Sequence, residues 1–110
     1  MSETAESPLA EAMNRLWAKY LPQIEERVAT LRAAGETLVR EDLPTAERQR
    51  ACSEAHKLAG VLGTFGLQKG TELAREAESL CDGALTKGSP AARRLVSIAE
   101  KLHVVIASRK

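Results

Sequence analysis

The chain has 110 residues and little that would build a sheet, a zinc site or a membrane span. It holds one Trp, one Tyr and one Phe. Val, Ile and those three aromatics together number 12, against 18 Ala and 14 Leu. β-Branched and aromatic side chains favour strands, whereas Ala and Leu favour helices, so the composition points to an all-α domain. The cysteines are two, Cys52 and Cys81, and they form no C-x-x-C pair. With two distant histidines they do not supply four zinc ligands at the usual spacing, and no metal site is expected. The pair is expected to be two buried thiols rather than a disulfide framework. No apolar run approaches the roughly 20 residues of a transmembrane helix. Sixteen basic and fifteen acidic side chains leave a formal charge of +1, which gives no basic surplus for nucleic acid. The N-terminal stretch MSETAESP is acidic and polar and does not read as a secretory signal. The expectation is one cytoplasmic domain with no membrane and no nucleic-acid partner.

What is present is helical periodicity. Residues 1–7 read as a disordered tail, and the domain as residues 8–110. Ser7-Pro8 is a helix start, a capping residue followed by Pro at the first helical position. Leu9, Met13, Leu16, Trp17, Tyr20, Ile24, Val28 and Leu31 then recur at spacings of three and four, one apolar stripe. Pro22 falls within it, so the helix is expected to be kinked or broken near that residue. Gly35 reads as its C-terminal cap and 36–43 as a polar connector. Pro44-Thr45 opens a second helix with Cys52, Ala55, Leu58, Ala59 and Leu62 on its apolar face. Gly63-Thr64-Phe65-Gly66 is the turn. A third helix runs from about Leu67 to Leu85, with Leu73, Ala77, Leu80, Cys81 and Ala84 on one face. Ser89-Pro90 starts a fourth, reaching about Ser108, with Leu95, Ile98, Ala99, Leu102, Val105 and Ile106 inward. Four amphipathic helices joined by short connectors predict an antiparallel four-helix bundle.

On a helical wheel of about 100° per residue, His56 falls on the flank of the second helix, beside the apolar arc. The rest of that flank is Gln49, Ser53, Gly60 and Gly63, all small or polar. A glycine inside a helix costs about 1 kcal/mol relative to Ala, and Gly60 sits one turn from the histidine. It leaves open space beside the imidazole, through which a large partner can approach. Folding the second and third helices about the turn near Phe65 places His56 opposite Ala74 and Arg75. Thr71, Arg75 and Glu78 share one flank of the third helix. If that flank faces His56, Glu78 accepts a hydrogen bond from one ring nitrogen, fixes the tautomer and leaves the other nitrogen nucleophilic. A lone histidine on a helix flank is by default a boundary residue, and His103 on the fourth helix is read as that. Trp17, Tyr20 and Phe65 are read as core. Leu9, Met13 and Leu16 either cover the bundle or belong to a partner surface.

The segment Ala55-His56-Lys57-Leu58-Ala59-Gly60-Val61-Leu62-Gly63-Thr64-Phe65-Gly66-Leu67, followed by Leu73, Ala77 and Glu78, resembles the signature of histidine-containing phosphotransfer (Hpt) domains. The match runs without gaps over about 25 residues and falls in register with the helices read above. The resemblance implies a phosphorelay intermediate with His56 as phosphoacceptor. It implies exchange of a phosphoryl group with the aspartate of a response-regulator receiver domain, or its receipt from a hybrid histidine kinase. The domain would not catalyse alone, and Mg²⁺ would sit on the receiver, so no cofactor is expected on this chain. Gly60, with Ser53 and Gly63, would give the partner access. Lys57, Arg75 and Glu78 would support the imidazole and its phosphate. Many members carry a lysine three residues after the histidine, where this chain has Ala59; the small Ser often found after the glycine is Val61. The expected protein is a monomeric phosphocarrier; the alternative is a helical module that docks a receiver or kinase without being phosphorylated. A small enzyme using His56 as general base ranks last, because no second cluster of nucleophile and carboxylate accompanies it.

Overall fold

A computed structural model describes residues 7–109 except residues 82 and 84. The order is α1 (Pro8–Arg40), α2 (Thr45–Thr64), α3 (Gln68–Leu80) and α4 (Pro90–Ser108), with no strand among the described residues. Two starts rest on local chemistry. The Ser7 hydroxyl accepts from the Ala10 amide at 3.0 Å and the Ser89 hydroxyl from the Ala92 amide at 3.1 Å, each with Pro next in line. Of the expected tail, Ser7 is thus the α1 cap, and residues 1–6 lie outside the described residues.

α1 packs on α2 and α4, and α3 completes the square, with no diagonal pair in close backbone contact. Cross-helix pairs fix the directions. Arg27 meets Glu54 and Trp17 meets Phe65, so α1 and α2 run antiparallel. Arg32 meets Glu100 and Gly35 lies against Val96, while Glu76 meets Arg94 and Gly70 lies against Val105, so α4 runs antiparallel to both α1 and α3. The expected antiparallel four-helix bundle is the fold. Leu31, Leu38, Leu58, Leu62, Leu95, Ile98 and Leu102 fill its axis, and each is almost wholly buried.

Several boundaries differ from expectation. α1 is continuous through Pro22 and is not broken there. The proline removes one amide donor, and the carbonyl it frees is that of Ala18, an exposed residue that water can satisfy. Ile24 and Trp17 anchor the turns on either side in the core. Gly35 is not a cap. It lies buried inside α1, where a Cβ would come within 2.8 Å of Val96 Cγ2, so it serves the close approach of α1 to α4. α1 therefore runs on to Arg40, and the connector shrinks to four residues. α3 ends at Leu80 rather than Leu85, and Gly83 at φ +95° carries the chain away. Ala84 lies outside the described residues.

With 33 residues α1 spans about 50 Å, against about 30 Å for α2 or α4. Its first two turns overhang the ends of its partners, where Leu9 is 72% exposed, and Leu16 just after them is also exposed. Neither covers the bundle. Tyr20, expected in the core, is exposed, with the Lys19 ammonium 5.8 Å from its ring centroid. Trp17 is the first fully packed residue. Its ring meets Phe65 edge-to-face at 5.1 Å, and the Arg109 guanidinium lies 4.8 Å from its centroid.

The cysteines also depart from expectation. Cys52 and Cys81 are joined by a disulfide, with Cα atoms 5.9 Å apart. They lie on the α2–α3 flank, half-buried, and not in the core. The antiparallel register sets them at one level on facing helices, within the Cα spacing a bridge needs.

Candidate functional site

Three pairs define how α2 and α3 face one another: Cys52 with Cys81, His56 with Glu78, and Gly63 with Thr71. The turn between the helices sets this register. Gly66 takes φ +72°, which glycine adopts without a Cβ penalty, and the Leu67 amide reaches back to the Leu62 carbonyl at 3.0 Å. Together they close α2 with a Schellman-type cap that reverses the chain in three residues.

The register puts Glu78 opposite His56. Nδ1 and the Glu78 Oε2 are 2.8 Å apart. With the carboxylate ionised and the imidazole neutral, Nδ1–H donates to Glu78 and Nε2 keeps its lone pair. Nε2 has no partner among the described residues, and the His56 side chain is 74% exposed. Glu78 is 42% exposed, so the pair stands at the surface, where its orienting effect outweighs its worth to stability.

Gly60, one turn on from His56, is solvent-exposed, and a Cβ built there meets nothing within 4 Å. Its φ is not in the left-handed region, so the backbone does not require a glycine. Neither packing nor conformation explains the residue, and the space it leaves is open. Gly63 is also exposed, with the Thr71 hydroxyl at 3.6 Å from a built Cβ, an ordinary contact. Ser53 is exposed on the same strip. Histidine, Gly60, Gly63 and Ser53 thus form one uncrowded face of α2.

The two candidate cations diverge. The Lys57 ammonium is 3.8 Å from Glu54, which also binds Arg27 of α1 at 2.9 Å. The structure joins Lys57 to that α1–α2 group and not to the imidazole. Arg75 lies one turn before Glu78, level with Gly60 by the register, and is exposed with no ion pair among the described residues. Ala59, where many Hpt domains carry a lysine, is buried at 7% exposure and offers the imidazole no charge. His103 is exposed beside a cleft between α1 and α4, lined also by Glu25, Val28 and Arg32. Among the described residues no carboxylate bonds its ring. Among the described residues no group of His, Cys, Asp and Glu could hold a metal ion.

The ion pair that shifts pKa values lies elsewhere, between α3 and α4. Arg94 binds Glu76 through two nitrogens at 2.5 and 2.7 Å. That hydrogen bonding holds the Glu76 carboxyl below its usual range and raises Arg94.

Comparison with known proteins agrees with the fold. The family model described as the Hpt domain matches residues 15–107. Protein RcaC of Microchaete diplosiphon is 35% identical over 66 residues, which are 60% of this chain and 10% of that protein. The chain therefore spans about a tenth of the length of this curated relative. No solved structure matches.

Proposed function

The chain belongs to the Hpt domain family, and on that premise we propose that it is a phosphocarrier whose acceptor atom is Nε2 of His56. The observation that carries this reading is the His56–Glu78 bond beside the bare Gly60. One ring nitrogen is held, and the other is open. In the forward step Nε2 attacks the phosphorus of an aspartyl phosphate on a receiver domain. The N–P bond forms as the P–O bond to the aspartate breaks, and the carboxylate leaves as an anion. Positive charge grows on the ring during attack, and Glu78 offsets it through Nδ1–H. The reverse step returns the phosphoryl group to a second receiver. Little covalent chemistry falls to this chain; its part is to hold one nucleophile in line on a rigid helix.

The phosphorylated ring carries roughly −1.5 to −2 charges by analogy with other phosphorylated side chains. Arg75, exposed and unpaired near Gly60, is the cation available to it, and Lys57 would first have to leave Glu54. Ser53, Gly60 and Gly63 make room for the receiver's active-site loops. Magnesium and the acid pocket belong to the receiver, so this chain needs no cofactor and acts as a carrier, not an autonomous enzyme. No helix among the described residues is long and apolar enough to cross a membrane. A monomer in the cytoplasm, docking a receiver or the receiver part of a hybrid histidine kinase, completes the proposal.

The test is incubation with a receiver charged by a small phosphodonor. Wild type acquires an acid-labile, base-stable phosphate, and His56→Gln acquires none. Tight receiver binding with no phosphate on wild type would leave a docking module instead.

A further inference from the structure

The disulfide lies one turn from the acceptor on both helices that build the site. Cys52 is four residues before His56 on α2. Cys81 is three residues after Glu78 and is the C-cap of α3. Glu78 therefore sits in the last turn of α3, and the covalent tie lies at the end of that turn. Ala77 and Leu80 hold the inner side of that turn against the core, and the bridge ties its outer end. The last turn carries no basic side chain, and beyond it Gly83 at φ +95° is exposed. The next firm anchors are the buried Leu85 and the Gly88 amide, which bonds the Leu38 carbonyl at 2.7 Å. Helix ends fray unless tied, and this end carries the residue that orients the acceptor.

The bridge is also reachable. Both cysteines line an open cleft of about 320 Å³ together with Thr45, Arg48, Gln49, Gly83, Leu85 and Thr86. A buried structural bridge offers no such approach. Arg48 is one turn before Cys52 in the same cleft and favours a thiolate there.

We infer that Cys52–Cys81 is a redox-modification site, open to a dithiol reductant, whose state sets how firmly Glu78 holds the His56 ring. The inference rests on the phosphocarrier reading for its consequence, though not for its geometry. A thiolate of the reductant attacks one sulfur, the Cys52–Cys81 bond breaks, and the other cysteine leaves as a thiolate that takes a proton from water. The reductant's second thiol then displaces the remaining cysteine from the mixed disulfide. The products are two protein thiols and an oxidised reductant. With the bridge open, the last turn of α3 frays, Glu78 leaves Nδ1 for part of the time, and the ring samples both tautomers. A reducing compartment then holds the carrier in its slow form, and oxidation switches it to its fast one.

The full chain, oxidised or reduced with dithiothreitol, is compared by three readings. Nitrogen NMR of the His56 ring reports the tautomer. Amide exchange reports opening at residues 78–81. Phosphoryl uptake from a charged receiver reports transfer. On reduction, the ring is expected to pass from one Nδ1–H tautomer to a mixture, and amides 78–81 to exchange about tenfold faster while those of α4 stay unchanged. Uptake is expected to slow several-fold. Cys52→Ser should behave as the reduced chain whether or not dithiothreitol is present. An identical tautomer and identical exchange in both states would overturn the inference. Loss of helicity throughout on reduction would also overturn it, since the bridge would then be a staple for the whole bundle. If the tautomer and exchange respond but neither state takes up phosphate, the latch stands and the phosphocarrier reading fails.

Discussion

Two glycines inside helices of this bundle are alike in sequence and opposite in cause. Gly35 is buried in α1 against α4, where a Cβ would lie 2.8 Å from Val96 Cγ2. Gly60 is exposed on α2, where a Cβ would meet nothing within 4 Å. Each costs its helix about 1 kcal/mol relative to Ala. At Gly35 the close packing of two helices returns that cost. At Gly60 nothing within the chain does, so the reason has to lie in something that comes to the chain. The closed seam between α1 and α4 belongs to the fold; the bare strip on α2 belongs to function.

The sharpest break in that comparison is at the strip itself. Glu78→Ala removes the carboxylate from Nδ1 without touching the core, and transfer to His56 is expected to slow by about ten- to a hundredfold. Thermal unfolding should barely move. A rapid-quench time course with a charged receiver measures the first, and calorimetry the second. At the seam, Gly35→Ala should destabilise the fold by about 1–3 kcal/mol, because Val96 must give way. Urea unfolding measures it, and the phosphotransfer rate of the folded fraction should hold. Gly60→Ala reverses the sign. Stability should rise by about 1 kcal/mol, since a helix former replaces glycine in open space. Gly60→Gln should keep most of that gain and yet weaken transfer, because its side chain fills the approach to Nε2. If both Gly60 variants transfer as well as wild type, the strip is not an approach route. The smallest effect is at the α3–α4 pair. Glu76 has its pKa lowered in the fold by Arg94, so its contribution is present above the ordinary carboxylate range and is lost as pH falls through the lowered value. Glu76→Gln should therefore be slightly less stable than wild type at pH 7, and the difference should shrink to nothing well below pH 4. Urea midpoints across that range would check it.

How much of this was legible in the sequence depended on how local the cause was. Ser7-Pro8 and Ser89-Pro90 mark helix starts because cap and proline act within one turn, and the structure starts α1 and α4 there. His56 and Gly60 fall on one strip because both are on one helix. Glu78 could be paired with His56 because a three-residue turn leaves little freedom of register. Gly35 reads as a cap because its reason is Val96, 61 residues away in the chain. Tyr20 fits the spacing of the apolar stripe of α1, but it lies at the edge of that stripe and is exposed, although Trp17 and Ile24 on either side of it are buried. Lys57 is the cation of α2 nearest to His56 in sequence, yet Arg27 and Glu54 organise a group across α1 and α2 that also takes in its ammonium. Cys52 and Cys81 read as separate thiols because a cytoplasmic pair is most often reduced, whereas the folded register sets their Cα atoms 5.9 Å apart and the bridge forms.

Function here turns on which atom of this chain takes the phosphoryl group. Phosphorus–nitrogen coupling in the NMR spectrum of the isotope-labelled, receiver-phosphorylated chain reads that atom directly. A phosphorus coupled to Nε2 of His56, with Nδ1 still protonated against Glu78, is the expected spectrum. Phosphorus on Nδ1, on His103 or on no imidazole would contradict it.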